Sequence, residues 1–409
     1  MAGRLCASTH AAPGGEVGMI LKQIQALYDL LEDLLPQYWQ DLAQLVAIPS
    51  VQGPAEPDAP YGPGPKAALA WVLDRAKAMG FETVNLDHKV GYAQWSPDPN
   101  QATSGAGYYG IFGHVDVVPA GQGWRQDPWT LTKNQAQGRY EGRGVLDNKG
   151  PILANLYAVY TLKCLGYRFR HPIRVVFGTN EETGFGCIRH YLAQEAAPLF
   201  GWTPDCKWPV VYGERGRLRV ALSVDSNQVA SLFDFVNAYL LTGTKDGREL
   251  GIAYEDQDFG RMMLRGYQLG LTQGRTWVAW SMAYPGACSQ EDILAQIRTH
   301  LPEGAQLEVL SHWAPVLKDK QSPYIEALQQ VYNQVTGQAL ESVTTTGGTY
   351  AKFVPNIVAY GPSFPGQRDI AHLPHEWLGI EDLETDLKIY SQALLALWQL
   401  EQEVEEASP

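Results

Sequence analysis

Seven histidine and carboxylate side chains stand beside short apolar segments or glycine-flanked turns in this sequence. They are His114, Asp116, Asp147, Glu181, Glu182, Asp205 and His372. Imidazole and carboxylate groups without a thiol form the hard-to-borderline donor set of a catalytic zinc, manganese or cobalt site. The residue types therefore predict a catalytic metal centre, provided that the fold brings them together.

Taken one at a time, these motifs have simpler explanations. His114 and Asp116 in GHVD could be a hydrogen-bonded loop pair, and two glutamates before a glycine often begin a solvated helix. The loop GRGVLDNKG could cradle a phosphate, but it lacks the GxxxxGKS/T pattern, and Asp147 at its centre would repel an anion. A serine hydrolase is excluded because no GxSxG elbow is present. The metal centre is favoured by the motifs in combination.

Strands and helices alternate in the first half of the chain. Short apolar, β-rich runs occur at YYGIFGHVDVVP, IRVVFGTN and KWPVVYG, and helical spacing occurs at ALAWVLDRAKAMG and NKGPILANLYAVYTLKCLGY. This alternation predicts an α/β fold with a mainly parallel sheet. Loops at the carboxyl ends of the strands bind ligands in such a sheet. We therefore expect the strands to place the candidate residues at one sheet edge.

The pattern of predicted strands and helices changes near Gly216, and the earlier pattern returns near His312. LRVALSVDS, LGIAY, MLRGYQLGLT and TWVAWSMAYP are predicted strands, with helices near 228–240 and 289–300, which is typical of a separate α+β unit. We predict a disordered leader over residues 1–18, a catalytic domain formed by 19–215 and 311–409, and an inserted lid over 216–310. A native start at Met19 instead of Met1 stays open.

Composition places the chain among ordinary globular proteins. It has 409 residues, 45% of them hydrophobic, and a net charge of −13, which argues against a nucleic-acid or anionic-membrane partner. Five cysteines without CxxC spacing argue against a disulfide framework and favour a reducing compartment. No apolar run reaches the roughly 18 residues of a membrane span. We expect a cytoplasmic enzyme.

The combined motifs resemble the dinuclear zinc metallopeptidase family that includes carnosinase-like dipeptidases, acetylornithine deacetylase and PepV-type dipeptidases. The resemblance extends from about residue 20 to the C-terminus and is most specific in EGRGVLDNKGP and NEETG. Further matching segments are PSVQG, GHVDVVPAGQGW, TPDCKWPVVYGERG, LGIAYED, TGGTYAKFVPN and GPSFPG. The resemblance implies a zinc-exopeptidase-like catalytic domain with a small α+β lid, two divalent metal ions and a small peptide substrate.

The resemblance also implies a role for each candidate residue. His114 and Asp205 would hold one ion, Glu182 and His372 the other, and Asp147 would bridge both. Asp116 would orient His114, and Glu181 would be the general base. Substrate contacts would come from Lys352 and Gly348, and the Asp147–Asn148 peptide bond would be cis. Zinc is the expected metal, with manganese or cobalt as alternatives.

The resemblance weakens in the lid. PepV-type lids supply an oxyanion histidine and a carboxylate-binding arginine, but no histidine lies between His190 and His300, and Ala283 stands where the arginine is expected. Lys352 likewise replaces an arginine. The main prediction is hydrolysis of an amide bond in dipeptides or related small peptides. A metal-binding pseudoenzyme with a truncated lid and an N-acyl amino acid deacylase are the alternatives; Glu181 favours hydrolysis. The resemblance to PepV-type enzymes favours a monomer over a homodimer.

Overall fold

The structure, a computed structural model, describes residues 13–96 and 107–406. Its helices are α1 (Pro13–Val46), α2 (Pro63–Ala78), α3 (Lys149–Cys164), α4 (Gly186–Gln194), α5 (Val229–Phe235), α6 (Gln290–Arg298), α7 (Pro323–Thr336) and α8 (Ile380–Glu406). Prolines open α1, α2 and α7, where the missing backbone N–H has no cost. In the part of the chain described, no helix combines the length and apolarity that a membrane span requires.

The strands are short, as expected from the spacing of turn residues. They are β1 (Glu82–Leu86), β2 (Val90–Trp95), β3 (Tyr109–His114), β4 (Thr132–Asn134), β5 (Arg139–Glu141), β6 (Ile173–Gly178), β7 (Phe200–Thr203), β8 (Cys206–Lys207), β9 (Val211–Glu214), β10 (Gly216–Asp225), β11 (Glu255–Asp256), β12 (Gly260–Arg261), β13 (Met263–Thr272), β14 (Arg275–Tyr284), β15 (Gln306–Trp313), β16 (Val316–Leu317), β17 (Val343–Thr345), β18 (Ile357–Ala359), β19 (Pro362–Ser363) and β20 (Trp377–Gly379).

The structure differs from two of the predictions made from the sequence. The leader predicted over residues 1–18 lies outside the described residues as far as residue 12, and residues 13–18 are helical because α1 begins at Pro13. The strand predicted at LGIAY is wrong. Gly247 and Gly251 adopt left-handed conformations with φ of 76° and 71°, and a short 3-10 helix, Arg248–Leu250, lies between them. These turns prevent an extended run.

The large sheet has a parallel centre and antiparallel margins. Its order is β1-β2-β6-β3-β7-β18-β9-β16, with β17 paired to β9. Strands β6, β3, β7 and β18 are parallel neighbours, whereas β1 and β2 on one side and β16 on the other pair antiparallel. The parallel centre follows from the helical crossover α3, which returns the chain to the starting edge of the sheet.

Side chains of the central strands alternate between two buried layers. Ile111 and Val175 pack with helices α1, α2, α3, α7 and α8 on one face, whereas Phe112 and Val176 pack with α4 and the segment around Tyr350 on the other. A sheet covered on both faces requires strands that are apolar at successive positions. This is why these segments lack polar alternation in the sequence.

A second sheet, of four antiparallel strands, has the order β13-β14-β10-β15. One face packs on α5 and α6 around Trp280 and Met282. Along β10 buried and partly exposed residues alternate, so the opposite face is open. We call these strands, with α5 and α6, the lid. β15 ends at Trp313, three residues beyond the predicted boundary at residue 310.

Candidate metal centre

Three parallel neighbours, β6, β3 and β7, bring their carboxyl ends to one edge of the large sheet. β3 ends at His114, Glu181 and Glu182 follow β6, and Asp205 follows β7. Asp147 enters from the loop before α3, and His372 from the loop before β20. Because β3 lies between the other two strands, residues far apart in sequence converge here.

The converging side chains form two groups of donors that share one carboxylate. In the first group, His114 Nε2 lies 3.1 Å from Asp147 Oδ1 and 3.5 Å from Asp205 Oδ2. In the second, His372 Nε2 lies 2.9 Å from Asp147 Oδ2 and 3.0 Å from Glu182 Oε2. Within each group the donor atoms lie within 4.8 Å of one another. Asp147 thus turns one oxygen towards each histidine.

The donor spacing fits two divalent cations. Ligands about 2.0–2.1 Å from a tetrahedral ion stand roughly 3.3 Å from each other, and the histidine–carboxylate distances here run from 2.9 to 3.5 Å. Five carboxylates also surround only two imidazoles at this edge, and buried negative charge of this kind requires compensating cations. The geometry and the charge therefore point to the same occupants.

The pKa shifts show how much negative charge is concentrated here. Burial, with help from Asp147, raises the pKa of Asp205 to about 7. Hydrogen bonds to Asp147 and Glu182 raise the pKa of His372 to about 11. Burial alone would raise the pKa of Asp147, but the hydrogen bonds with His114 and His372 hold it well below its usual range. Protons on the histidines thus balance the same carboxylates that a metal would, so metal binding must displace them.

Asp116 lies behind His114, as predicted, but its contacts are broader. His114 Nδ1 lies 2.9 Å from the Asp116 backbone carbonyl and 3.5 Å from its carboxylate. The two carboxylate oxygens accept the backbone N–H groups of Glu181 and Glu182, each at 3.2 Å. A carbonyl at Nδ1 fixes the tautomer that leaves Nε2 free to bind a metal. Asp116 therefore supports His114 and both glutamates.

Glu181 lies beside the donor groups without belonging to either. Its Oε2 is 3.9 Å from His114 Nε2. The histidine–carboxylate distances within the two groups are all shorter, from 2.9 to 3.5 Å. Burial, reinforced by Asp205, raises its pKa well above the usual range of a glutamate. A carboxyl group in such surroundings is suited to accept and hold a proton. The structure thus separates the adjacent Glu181 and Glu182.

Glu376 is a site residue that the sequence did not reveal. Its carboxylate is buried and accepts four hydrogen bonds from the loop that carries Asp147: from Arg143 Nη1 at 2.8 Å and from the backbone N–H groups of Gly144, Leu146 and Asp147 at 2.9–3.1 Å. Glu376 also follows His372 by four residues. It therefore joins the loop of the bridging carboxylate to the loop of the second histidine.

One signal for Glu376 was present in the sequence. Arg143 lies in the apolar loop GRGVLD, and a buried arginine needs an acidic partner. The sequence could not say which acid, because the partner is 233 positions away. The expected cis peptide between Asp147 and Asn148 is present in the same loop.

The two predicted substrate residues are in different surroundings. Lys352 Nζ donates to the carbonyls of Glu214, Arg215 and Ala314 at 2.9, 2.5 and 3.1 Å. These bonds use all three ammonium protons and join the two chain segments that enter and leave the lid. Lys352 therefore has no N–H donor left for the predicted contact with substrate. Gly348 is half-buried in the adjacent loop, and its contact with substrate stays a prediction.

A family model described as peptidase family M20/M25/M40 matches residues 110–396, a span that includes every donor of both groups. The chain belongs to peptidase family M20/M25/M40. Membership in M20 confirms the predicted family and the predicted class of enzyme, a metal-dependent peptidase. The roles of single site residues stay predictions.

Two relatives in sequence agree with a peptidase of this kind. YtjP of Bacillus subtilis (strain 168), assigned as a dipeptidase, is 25% identical over 467 residues, covering 90% of this chain and 97% of its own. A Staphylococcus epidermidis protein with the same assignment is 26% identical, covering 88% and 97%. The aligned length exceeds the 409 residues of this chain, so these relatives contain segments that it lacks.

Solved M20-type structures confirm the predicted fold class. Human carnosine dipeptidase 1 superposes with a TM-score of 0.72 at 16% identity, covering 92% of this chain and 99% of its own. YXEP of Bacillus subtilis, described as a dinuclear metal binding peptidase from M20 family, gives a TM-score of 0.60 at 9% identity, covering 90% and 99%. At these identities the likeness establishes the fold.

Proposed function

We propose that this chain is a dinuclear-metal dipeptidase, and that each candidate residue has the role expected from the sequence. One divalent ion would be held by His114 and Asp205, the other by Glu182 and His372, and both by Asp147. The observation that carries the proposal is the pair of three-donor groups sharing Asp147, with Glu181 next to them and in neither group.

Two ions bound at these donors would lower the pKa of a water molecule and polarise the scissile carbonyl. Glu181 would take a proton from the attacking water and pass it to the leaving amine, which converts the amine into a better leaving group. Its position beside the donor groups, and in neither of them, leaves the carboxyl group available for both transfers. Asp116 would keep Glu181 in place through the backbone N–H that it accepts.

The finer assignments are supported by different observations. The dipeptide substrate is supported by the assigned activity of the relatives in Bacillus subtilis and Staphylococcus epidermidis. Zinc, with manganese or cobalt as alternatives, is supported by the imidazole and carboxylate donors. A cytoplasmic location is supported by Cys164, Cys187, Cys206 and Cys288, which are free thiols. The monomeric state continues to rest on the family resemblance alone.

A dipeptide library tests the proposal. We expect hydrolysis that EDTA abolishes and that added Zn²⁺, Mn²⁺ or Co²⁺ restores. Glu181→Gln should lower kcat by roughly 10²–10⁴, the usual contribution of a general base, while metal content by elemental analysis stays at two ions per chain. Glu303→Gln, which makes the same change at an exposed lid residue, is the matched control and should retain full activity.

Other outcomes would replace the proposal. Hydrolysis that survives both chelation and Glu181→Gln would exclude this mechanism. Two bound metals with no turnover of any dipeptide would indicate the pseudoenzyme. Turnover of N-acyl amino acids in place of dipeptides would indicate a deacylase.

A further inference from the structure

The open face of the lid carries a group of arginines. Arg217 and Arg219 are alternate residues of β10 and lie on its partly exposed side. Arg265 of β13 lies on the same face, because it and Arg219 both pair with Ser281 of the central strand β14. We call Arg217, Arg219 and Arg265 the arginine cluster.

Small side chains lie beneath the arginine cluster. Along β14 the residues between the arginines are Ala283, opposite Arg217, and Ser281, opposite Arg219 and Arg265. Side chains in neighbouring strands stand about 4.5–5.5 Å apart at Cβ, so the long guanidinium groups overhang a shallow floor. From Arg219 the floor continues as a groove of about 400 Å³ towards Trp277. A side chain could therefore lie over this shallow floor beside the Arg219 guanidinium, the member of the cluster that lines the groove.

The positive charge of the cluster has no acidic counterpart in the described part of the protein. No carboxylate oxygen there lies within 4 Å of a nitrogen of these three arginines. Glu308, which also lines the groove, pairs with Ala221 farther along β10. Burial, together with the charges of Arg265 and Arg219, lowers the pKa of Arg217. In a chain of net charge −13, three unneutralised arginines on one face are unexpected.

Each guanidinium also keeps donors for a ligand. Arg219 uses Nη2 for Gln268 at 2.6 Å and Nη1 for Ser281 at 3.3 Å, and Arg265 reaches Thr346 through Nη1 at 3.4 Å and Nη2 at 3.1 Å. Arg217 lies over the Trp313 ring, 5.4 Å from its centroid. An arginine has five N–H donors, so these contacts orient the cluster and leave donors free.

Contacts connect the cluster to the metal centre. The Trp313 ring packs on Phe185 at 5.7 Å, Phe185 on Tyr350 at 6.1 Å, and Tyr350 on His114 at 6.4 Å. Phe185 itself follows Glu182 by three residues. Arg265 is joined through Thr346 to the loop that contains Gly348. The positively charged face of the lid is therefore joined to the donor groups through three ring contacts and through the loop of Gly348.

We propose that the arginine cluster selects peptides with an acidic residue, Asp or Glu, on the C-terminal side of the cleaved bond. This inference rests on the proposed dipeptidase function and adds the class of substrate. Such a residue at the end of a dipeptide carries two carboxylates, one at its side chain and one at its terminus. Three guanidinium groups can bind both, since arginine pairs with carboxylates through two parallel hydrogen bonds. A neutral residue would leave surplus positive charge unpaired.

Matched dipeptides test this selection. We expect kcat/KM for Ala-Glu to exceed that for Ala-Gln by on the order of ten- to a hundredfold, the effect of a charge-assisted hydrogen bond. Arg219→Gln and Arg217→Gln should bring the ratio towards one, whereas Arg298→Gln, on the helix-covered side of the lid, should leave it unchanged. The ratio is internal, so a folding defect lowers both rates together. Raising the salt concentration should also reduce the ratio in the unaltered protein.

Equilibrium binding separates this inference from the proposed function. Calorimetry of Ala-Glu and Ala-Gln on zinc-loaded Glu181→Gln protein measures selection without turnover. Tighter binding of Ala-Glu with no hydrolysis by the unaltered protein would support the cluster and overturn the peptidase proposal. Hydrolysis with equal rates and equal affinities for the two peptides would overturn the acidic selection. An Arg219→Gln protein that keeps the full Glu-over-Gln ratio would also overturn it.

Discussion

The metal centre and the arginine cluster are built in opposite ways. In the metal centre each donor comes from a different strand end or loop, and buried acids, Asp116 and Glu376, hold the loops of Glu182 and Asp147 through backbone N–H groups. In the lid the charged groups occupy adjacent strands of one sheet, so Arg217 lies directly opposite Ala283. A loop donor has no neighbour that could take its place. On a sheet face, an adjacent strand can present a similar group to nearly the same space.

The comparison predicts that damage to the bridging carboxylate is the most severe. Asp147→Asn removes the charge shared by both donor groups. We expect both ions to be lost and hydrolysis to fall to background, measured by elemental analysis and dipeptide turnover. Asp369→Asn, an exposed residue in the loop of His372, is the matched control and should keep both ions. Retention of one tightly bound ion by Asp147→Asn would show that the two groups are independent.

The next largest effect is expected at Glu376, which touches neither ion site directly. Glu376→Gln keeps the shape of the side chain but removes the charge that faces Arg143. Residues that support metal ligands typically contribute 10–100-fold in metal affinity, and we expect a loss of that size for Zn²⁺. Glu376→Asp should recover part of it. A loss of thermal stability with unchanged zinc affinity would restrict Glu376 to a structural role.

The affinity for zinc should depend on pH in a definite direction. His372, with its pKa raised to about 11, is protonated at neutral pH, and Asp205, with its pKa raised to about 7, is about half protonated, so zinc must displace protons from both. The affinity should therefore rise with pH, by about tenfold per unit for each proton released. Without metal, the unfolded chain loses these protons at lower pH than the folded chain, so stability falls as pH rises, from about 4 through 7 for Asp205 and from about 6.5 through 11 for His372. Calorimetry at pH 6, 7 and 8 measures the zinc affinity and the stability of the metal-free protein. A zinc affinity that does not change with pH would contradict the first trend, and a stability that does not fall with rising pH would contradict the second.

The smallest effect on the metal centre is expected at the lid junction. Lys352→Met leaves the carbonyls of Glu214, Arg215 and Ala314 without their ammonium donor. Lost hydrogen bonds of this kind cost about 1–3 kcal/mol, so Tm should fall while zinc stoichiometry stays at two. Lys320→Met, at an exposed lysine six residues after Ala314, is the control. Loss of zinc from Lys352→Met would show that the lid junction also supports the metal centre.

The sequence predicted the donor residues well because their types limit their chemistry. An HxD pair after an apolar strand, a glycine-flanked Asp and a Glu-Glu pair after the next strand leave few alternatives when they occur in this order. The α/β fold followed from alternating patterns for a similar reason. Glu376 was not predicted, because its function depends on an Arg143 partner 233 positions away. LGIAY was predicted wrongly, because left-handed glycines on either side of Leu250 override its apolar pattern.

By itself, the sequence determined the kinds of groups available: imidazoles and carboxylates for metals, and two arginines, Arg217 and Arg219, in the first lid strand. The tertiary structure alone decided their pairing. Strand order placed β3 between β6 and β7, which brought His114, Glu182 and Asp205 to one edge. Strand register placed Arg217 opposite Ala283 and set Arg219 and Arg265 on either side of Ser281. Strand order and strand register both depend on residues far apart in the sequence, because they are set by burial of the sheet faces. A local pattern contains no information about which strands become neighbours.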